Sequence, residues 1–367
     1  MKILFTVQGE GRGHLTQAIT LRKMLAAEGH EVTGVIVGKS PRRQLPDFFK
    51  RQIDAPVFYV ESPNFLPSAC NKQMQLKKSI VYNIFRSPKY IKSVRLIRRE
   101  AAKVDVVINF YELLTGLAFA FFRPPCKLVC IAHQYLFLHP EFHFPQGHRV
   151  ELSMLRFFTK LTALHANRIL ALSFTEVEQP EKGRLHVVPP LLREEVRMAM
   201  PTKGDYLHGY MLNSGFSTDI IEWHERHPAT ILHFFWDKKG VKDVVEVDSH
   251  LFFHPLNDKE FIRYMAGCRA YATTAGFESV CEAMYLGKPV LMVPTHIEQL
   301  CNAVDAQRAG AGICSEDFNL DKLARLKCKA TASKKFRKWA DTAGQRIVGQ
   351  VEAAAAETEW NPALVKG

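Results

Sequence analysis

The strand-sized apolar runs of this chain are nearly continuous rather than alternating, and helical patterns separate them. Val290-Leu291-Met292-Val293 is the plainest case. A strand that is apolar on both faces must be covered on both faces, which is the situation of a parallel sheet between layers of helices. Strands are expected at 2–7, 31–37, 57–60, 105–111, 127–133 and 168–173, and again at 210–214, 230–236, 250–254, 270–274 and 289–293. Between them Ala18, Leu21 and Leu25 share one helix face, as do Val280, Ala283 and Met284. This alternation predicts doubly wound α/β domains. At ~150 residues per domain, 367 residues make two. The alternation breaks at Pro189-Pro190 and resumes after Pro201, Lys203 and Gly204. The expected units are therefore 1–188, a linker 189–206, a second domain 207–335, and an amphipathic helix with a tail over 336–367. In that last unit Phe336, Trp339, Ala343, Ile347 and Val351 fall at helical spacing.

Several classes drop out. The longest apolar stretch, 113–122, is half the ~20 residues needed to cross a bilayer. The apolar run after Lys2 ends at Val7, too short for a cleaved signal. Eight cysteines without a CxxC pair read as reduced core thiols, so a cytoplasmic location is expected. The net charge of +12 suggests an anionic partner: nucleic acid, membrane surface or phosphorylated ligand.

Two glycine loops carry the chemistry. The first strand runs into Gln8-Gly9-Glu10-Gly11-Arg12-Gly13-His14 and then a helix. Its GxGxG spacing is not the GxGxxG dinucleotide fingerprint, and Val35-Ile36-Val37-Gly38-Lys39 offers no acid for a ribose. The loop is either a ligand loop or a plain turn. His14 stands at a helix N-terminus at the carboxyl end of a strand, where the dipole favours the neutral imidazole a general base needs; the alternative is a histidine that only caps the helix. The second loop, Thr273 to Pro289, reads strand, glycine turn at Gly276, helix, glycine stop at Gly287, strand. Amides after Gly276 can cradle phosphates, and Glu282, about two turns in, can accept two hydrogen bonds from a sugar diol. Glu298 and Gln299 lead into the following helix, where they suit a hydroxyl-rich ligand or simply a solvated helix start.

This block resembles the donor-binding region of GT-B glycosyltransferases, in the branch of the peptidoglycan N-acetylglucosaminyltransferase and the UDP-glycosyltransferases. The matching residues are Gly276, Ser279, Glu282, Gly287-Lys288-Pro289, Pro294, Glu298-Gln299 and Asn302-Ala303, with Ala275 where a glycine often stands. Gly11, Gly13 and His14, and Ile131-Ala132-His133-Gln134, extend the resemblance over about 1–310. It implies two facing Rossmann-like domains with a cleft, and inverting transfer of a sugar from a nucleotide diphosphate donor, UDP-linked, with no metal and no cofactor. It also implies roles. Glu282 would bind ribose; Gly276, Phe277 and Ser279 the diphosphate; Glu298 and Gln299 the sugar. Ser214, Gly215 and Phe216 would form the other phosphate-facing loop, and Leu256 would lie beside the base. Gly11, Gly13, His133 and Gln134 fall on the acceptor side.

Relatives orient such a histidine with an aspartate after an N-domain strand. Here Asn109 occupies that place, and an amide cannot stabilise an imidazolium as a carboxylate does. Glu112 is the substitute, either orienting His14 or acting as the base itself. The stretch 72–103 carries ten basic residues and one acid, Glu100, with interleaved apolar residues. That pattern suits an anionic membrane surface or, equally, ordinary helices with solvated faces. No nucleic-acid-binding motif accompanies the charge, so the expected partners are a nucleotide sugar, a lipid-linked acceptor and the inner face of a membrane. A nucleotide-sugar 2-epimerase and a non-catalytic sugar-nucleotide or lipid-binding protein are the rival readings.

Overall fold

The computed structural model describes residues 1–39, 45–63, 87–177, 183–212, 214–238, 240–326 and 330–357. The first sheet contains β1 (Lys2–Gln8), β2 (Glu31–Lys39), β3 (Val57–Glu61), β4 (Val106–Phe110), β5 (Lys127–Ala132), β6 (Arg168–Leu172) and β7 (Leu185–Val188). Its order is β3-β2-β1-β4-β5-β6-β7. The second contains β8 (Tyr206–Met211), β9 (Ile231–Trp236), β10 (Val245–Glu246), β11 (Leu251–Pro255), β12 (Ala270–Thr273), β13 (Val290–Met292) and β14 (Gly312–Cys314), in the order β10-β11-β9-β8-β12-β13-β14. Among the described residues only β10 pairs antiparallel. The inner strands are buried along their length, as their unbroken apolar runs require.

Strand order reverses beside β1 in one sheet and beside β8 in the other. At such points successive crossover helices diverge to opposite faces and leave a crevice at the carboxyl ends of the strands. The loops after β1, β4, β8 and β12 therefore face the places where a ligand fits.

Local differences from the sequence reading have physical causes. β8 starts at Tyr206, four residues earlier than expected, because His208-Gly209 hides the apolar signal. A Cβ on Gly209 would sit 2.0 Å from the Phe234 ring, and His208 is enclosed by the rings of Phe235, Phe261 and Tyr271. The linker holds a short helix, Glu194–Met198. The C-terminal amphipathic pattern is two helices, Ala330–Ala340 and Ala343–Ala356, divided where Thr342 Oγ1 donates to the Trp339 carbonyl. This segment returns to the first domain: Trp339 Nε1 donates to Ser173 O at 3.0 Å, Glu352 meets His30 and Glu357 meets Arg168. No described helix is long and apolar enough to cross a membrane.

Candidate functional site

The loop after β1 is shaped by close approach: a Cβ on Gly9 would fall 2.2 Å from the Gly38 carbonyl. Gly11 then precedes the helix Arg12–Ala27 with extended backbone and no side-chain cap. The loop after β12 repeats the arrangement, Gly276 preceding the helix Phe277–Tyr285, again with no side-chain cap. The two helix N-termini open on one cavity of about 240 Å³ between the domains. Free amides from both sides bias it toward an anion. The backbone at Ala275 is left-handed, at φ 60°, so the departure from glycine there strains the turn whatever the side chain's size. Asn302 Nδ2 donates to the Ala275 carbonyl at 3.3 Å and holds it.

Of the residues singled out in the sequence, Gly11, Gly13, His14, His133, Gln134, Leu256, Gly276, Phe277, Ser279, Glu282, Glu298 and Gln299 all line this cavity. Each polar side chain already has a protein partner. The buried Glu282 accepts from Arg193 Nε at 2.6 Å. Glu298 accepts from Gln134 Nε2 at 2.9 Å, across the cleft. Gln299 Oε1 accepts from the amide and hydroxyl of Thr295. Ser279 Oγ donates to Gly276 O. The His133 ring stacks on Phe277 with centroids 4.0 Å apart, and its Nδ1 donates to Leu172 O at 2.7 Å. Burial lowers that imidazole to about 4, and burial raises Asp305, 4.0 Å from its Nε2, to about 7.

His14 is buried, with its ring stacked on Tyr111 at 5.9 Å and its Nδ1 3.3 Å from Gln17 Oε1. Burial lowers its pKa, against the opposing pull of Glu298 and Gln17. A neutral imidazole with its Nε2 free is a competent base.

Asn109 and Glu112 are not brought to His14, and neither lines the cavity. Asn109, fully buried, accepts from Thr6 Oγ1 and from the Glu112 amide, and donates to the carbonyls of Glu112 and Thr162. Glu112 turns inward to cap the helix Leu113–Phe122: its Oε1 accepts from Leu114 N and from Ser62 Oγ at 2.7 Å. Burial pushes this carboxyl up to about 7. Both side chains tie the β4 turn together, and it is Tyr111, between them and at φ 62°, that reaches the imidazole. Gly215 and Phe216 also lie off the cavity; because β8 ends at Met211, Tyr210 and Leu212 line it instead. Gly215 is exposed and Phe216 packs on Phe318. The side chain of Ser214 lies outside the described residues.

Several lining residues escaped the sequence reading, among them Arg193, Asp258, Gln17 and Glu278. Arg193, from the linker, reaches Glu282 and stands 3.7 Å from Asp258, which Arg12 also approaches at 3.8 Å. Gln17, one turn after His14, donates through Nε2 to Glu278 of the other domain. Burial lifts the Glu278 carboxyl to about 8. The spacing from His14 to Gln17 was the one available signal, since i and i+3 share a helix face.

Lys288 of the Gly-Lys-Pro motif lies elsewhere. Its ammonium donates to the carbonyls of Thr202 and Cys268, fixing the linker to the second domain.

A family model described as glycosyl transferase family 1 matches residues 1–329. No curated protein matches the sequence. Among solved structures the chain is similar to the glycotransferase of kitacinnamycin, with 15% identity, TM-score 0.65, and coverage of 96% of this chain and 99% of that one. Phytolacca americana UGT2, solved with UDP-2fluoro-glucose and pterostilbene, gives 15% identity, TM-score 0.64, and coverage of 97% and 100%. Acinetobacter baumannii MurG gives 16%, 0.52, and 96% and 99%. At these identities the likeness is one of fold: two facing Rossmann-like domains, the GT-B arrangement.

Proposed function

The chain belongs to glycosyl transferase family 1 and is a glycosyltransferase, and we propose that it moves a sugar, with inversion, from a UDP-linked donor to an acceptor hydroxyl without a metal. The observation that carries the reading is the convergence of His14, the Gly276 helix terminus and Glu282 on one cavity. A UDP-sugar analogue in the Phytolacca americana UGT2 structure supports the donor class.

In this mechanism the His14 Nε2 takes the proton of the acceptor hydroxyl as its oxygen attacks the anomeric carbon. The carbon–oxygen bond to the diphosphate breaks on the opposite face. The amides of Gly276 to Ser279 and the helix dipole take up the charge on the departing phosphate, so the reading calls on no metal. Glu282 accepts from the ribose hydroxyls; Glu298 accepts from the sugar and Gln299, its oxygen held by Thr295, donates to it through Nε2.

A cavity of about 240 Å³ is below the ~300–1,000 Å³ of ordinary ligand sites. The bonds of Gln17 to Glu278 and Gln134 to Glu298 cross the cleft, so in this reading donor entry parts them and closure re-forms the first.

The acceptor in this reading is carried by a lipid at an anionic membrane surface. Of the basic stretch, 72–86 lies outside the described residues; the rest forms the helix Ser87–Ala101. There Lys89, Lys92, Arg95, Arg98 and Arg99 are exposed beside Ile91, which is 54% exposed, and Arg98 lies 5.0 Å over the Phe122 ring. Exposed cations with exposed apolar side chains suit headgroups above and acyl chains below.

Thermal-shift measurements over nucleoside diphosphates and their sugars test the donor. Stabilisation by UDP and UDP-sugars above the other bases is expected; equal indifference to all of them refutes the reading. Flotation with phosphatidylglycerol vesicles but not phosphatidylcholine vesicles is expected for the membrane step, and its absence refutes that step alone.

A further inference from the structure

Among the described residues His14 has no carboxylate partner on its own domain, and a three-residue chain across the cleft stands in its place. Gln17 Oε1 can only accept, so the His14 nitrogen 3.3 Å away, Nδ1, must carry the proton. That leaves Nε2 with its lone pair. A glutamine amide turned by 180° would do the opposite: its NH2 would donate to Nδ1, put the proton on Nε2 and leave no base. What fixes the turn is Glu278. Gln17 Nε2 donates to Glu278 Oε1, an atom of the second domain, on the first turn of the helix that follows Gly276. An ionised Glu278 is acceptor-only and admits one turn of the amide; a protonated one could also donate, so the lock is that of the carboxylate. Gln17 is buried, so no solvent competes for either end of its amide. Gly13 makes the approach feasible: a Cβ there would press on Glu278 Cγ at 3.0 Å.

We propose that Glu278 is a positioning residue that sets the tautomer of His14 through Gln17, so that the base becomes competent only when the donor-binding domain closes onto the first. This rests on the reading of His14 as the base. It makes acceptor deprotonation conditional on closure: with the domains apart, Gln17 has no fixed partner and His14 no fixed tautomer. An activated hydroxyl is then not generated before the donor is in place, and water is not activated against a donor in an open cleft.

Long-range proton–nitrogen correlation spectra of the full chain, with His14→Ala supplying the assignment, read the tautomer directly. The wild-type protein should show His14 protonated at Nδ1. Glu278→Leu and Gln17→Leu should each populate the Nε2-protonated form and lower the rate of UDP release from UDP-glucose with a total lipid extract, on the order of 10- to 1,000-fold in kcat. The loss should fall on kcat more than on the donor KM, because the two side chains bond each other and His14 and are not among the groups assigned to the donor. The double variant Gln17→Glu/Glu278→Gln reverses the bond between residues 17 and 278 but keeps an acceptor facing Nδ1: the new carboxylate accepts from Nδ1 and from the new amide. It should restore the wild-type tautomer. An unchanged tautomer in Glu278→Leu, or a double variant as disordered as the single ones, overturns the proposal. Wild-type turnover in His14→Ala would instead overturn the reading of His14 as the base, whatever the spectra show.

Discussion

The two walls of the cavity are built in different ways. The wall from the second domain comes mainly from one stretch, 276–302, in which a glycine turn, a helix and the next loop deliver Gly276, Phe277, Ser279, Glu282, Glu298 and Gln299 to the same space, with Tyr210, Leu212 and 256–258 beside it. The wall from the first domain is assembled from residues far apart in the chain: Gly11 to Gln17, then His133 and Gln134, then Arg193, with Tyr111 behind His14. A wall made by one strand–turn–helix unit binds through its backbone and is rigid by construction. A wall made of side chains from several loops depends on which partners those side chains find. The first kind holds a phosphate; the second must be aligned before it can move a proton.

The change that strikes the second kind of wall hardest is His14→Ala. It should lower kcat by roughly two to four decades while leaving UDP affinity intact, since the donor is held from the other side. Steady-state kinetics beside calorimetry separates the two. A fall in UDP affinity as large as the fall in rate would erase the distinction between the walls.

Glu282→Ala tests the other wall. Losing hydrogen bonds to a charged group costs on the order of 1.5–3 kcal/mol, or about 10- to 100-fold in UDP affinity. Arg193 would keep Asp258, 3.7 Å away, as an ion-pair partner. Calorimetry with UDP and with 2′-deoxy-UDP sharpens the assignment: the wild-type preference for the ribose should vanish in the variant. A preference that survives means that Glu282 does not read the diol.

The same contrast explains what was legible in the sequence. Two doubly wound halves followed from apolar runs and helix faces, because burial on both sides of a parallel strand leaves a local record. β14, at Gly312–Cys314, left little, because Gly-Ile-Cys is only half-buried and lacks the unbroken apolar run of β13. The motif 276–302 was legible because its turn, helix and following loop are consecutive in the chain, even though its side chains meet Gln17, His133, Gln134 and Arg193 from elsewhere. Arg193 was not, because a linker arginine gives no sign of the carboxylate it will meet 89 positions away. Nor was the bond from Gln17 to Glu278, which spans 261 positions. Asn109 was placed correctly on its strand, but strand position alone did not say that its amide would be consumed by the β4 turn.

Gly13→Ala probes the meeting of the walls with a smaller expected effect. The added methyl would stand 3.0 Å from Glu278 Cγ, so that side chain must give by a few tenths of an ångström. Overpacking of this kind costs roughly 1–3 kcal/mol, here charged to the closed state alone. A several-fold fall in kcat with little change in melting temperature is expected. A melting temperature that falls while kcat holds would mean that the contact serves folding and not closure.

Glu112→Gln should be the mildest change, and it decides whether a carboxylate near a catalytic loop must be catalytic. In the folded protein burial raises Glu112 from 4.5 to about 7, so the native state holds a proton that the unfolded chain releases. Stability from this group is therefore full below about 4.5 and is lost as pH rises toward 7 and beyond. A glutamine cannot ionise, yet its carbonyl can still accept from Leu114 N and Ser62 Oγ as the carboxyl does. The variant should match the wild type near pH 5 and gain on it above pH 7 in thermal unfolding, with turnover within about twofold because the side chain never enters the cavity. A loss of turnover by decades with folding intact would return the role of base to Glu112 and leave His14 as a binding residue.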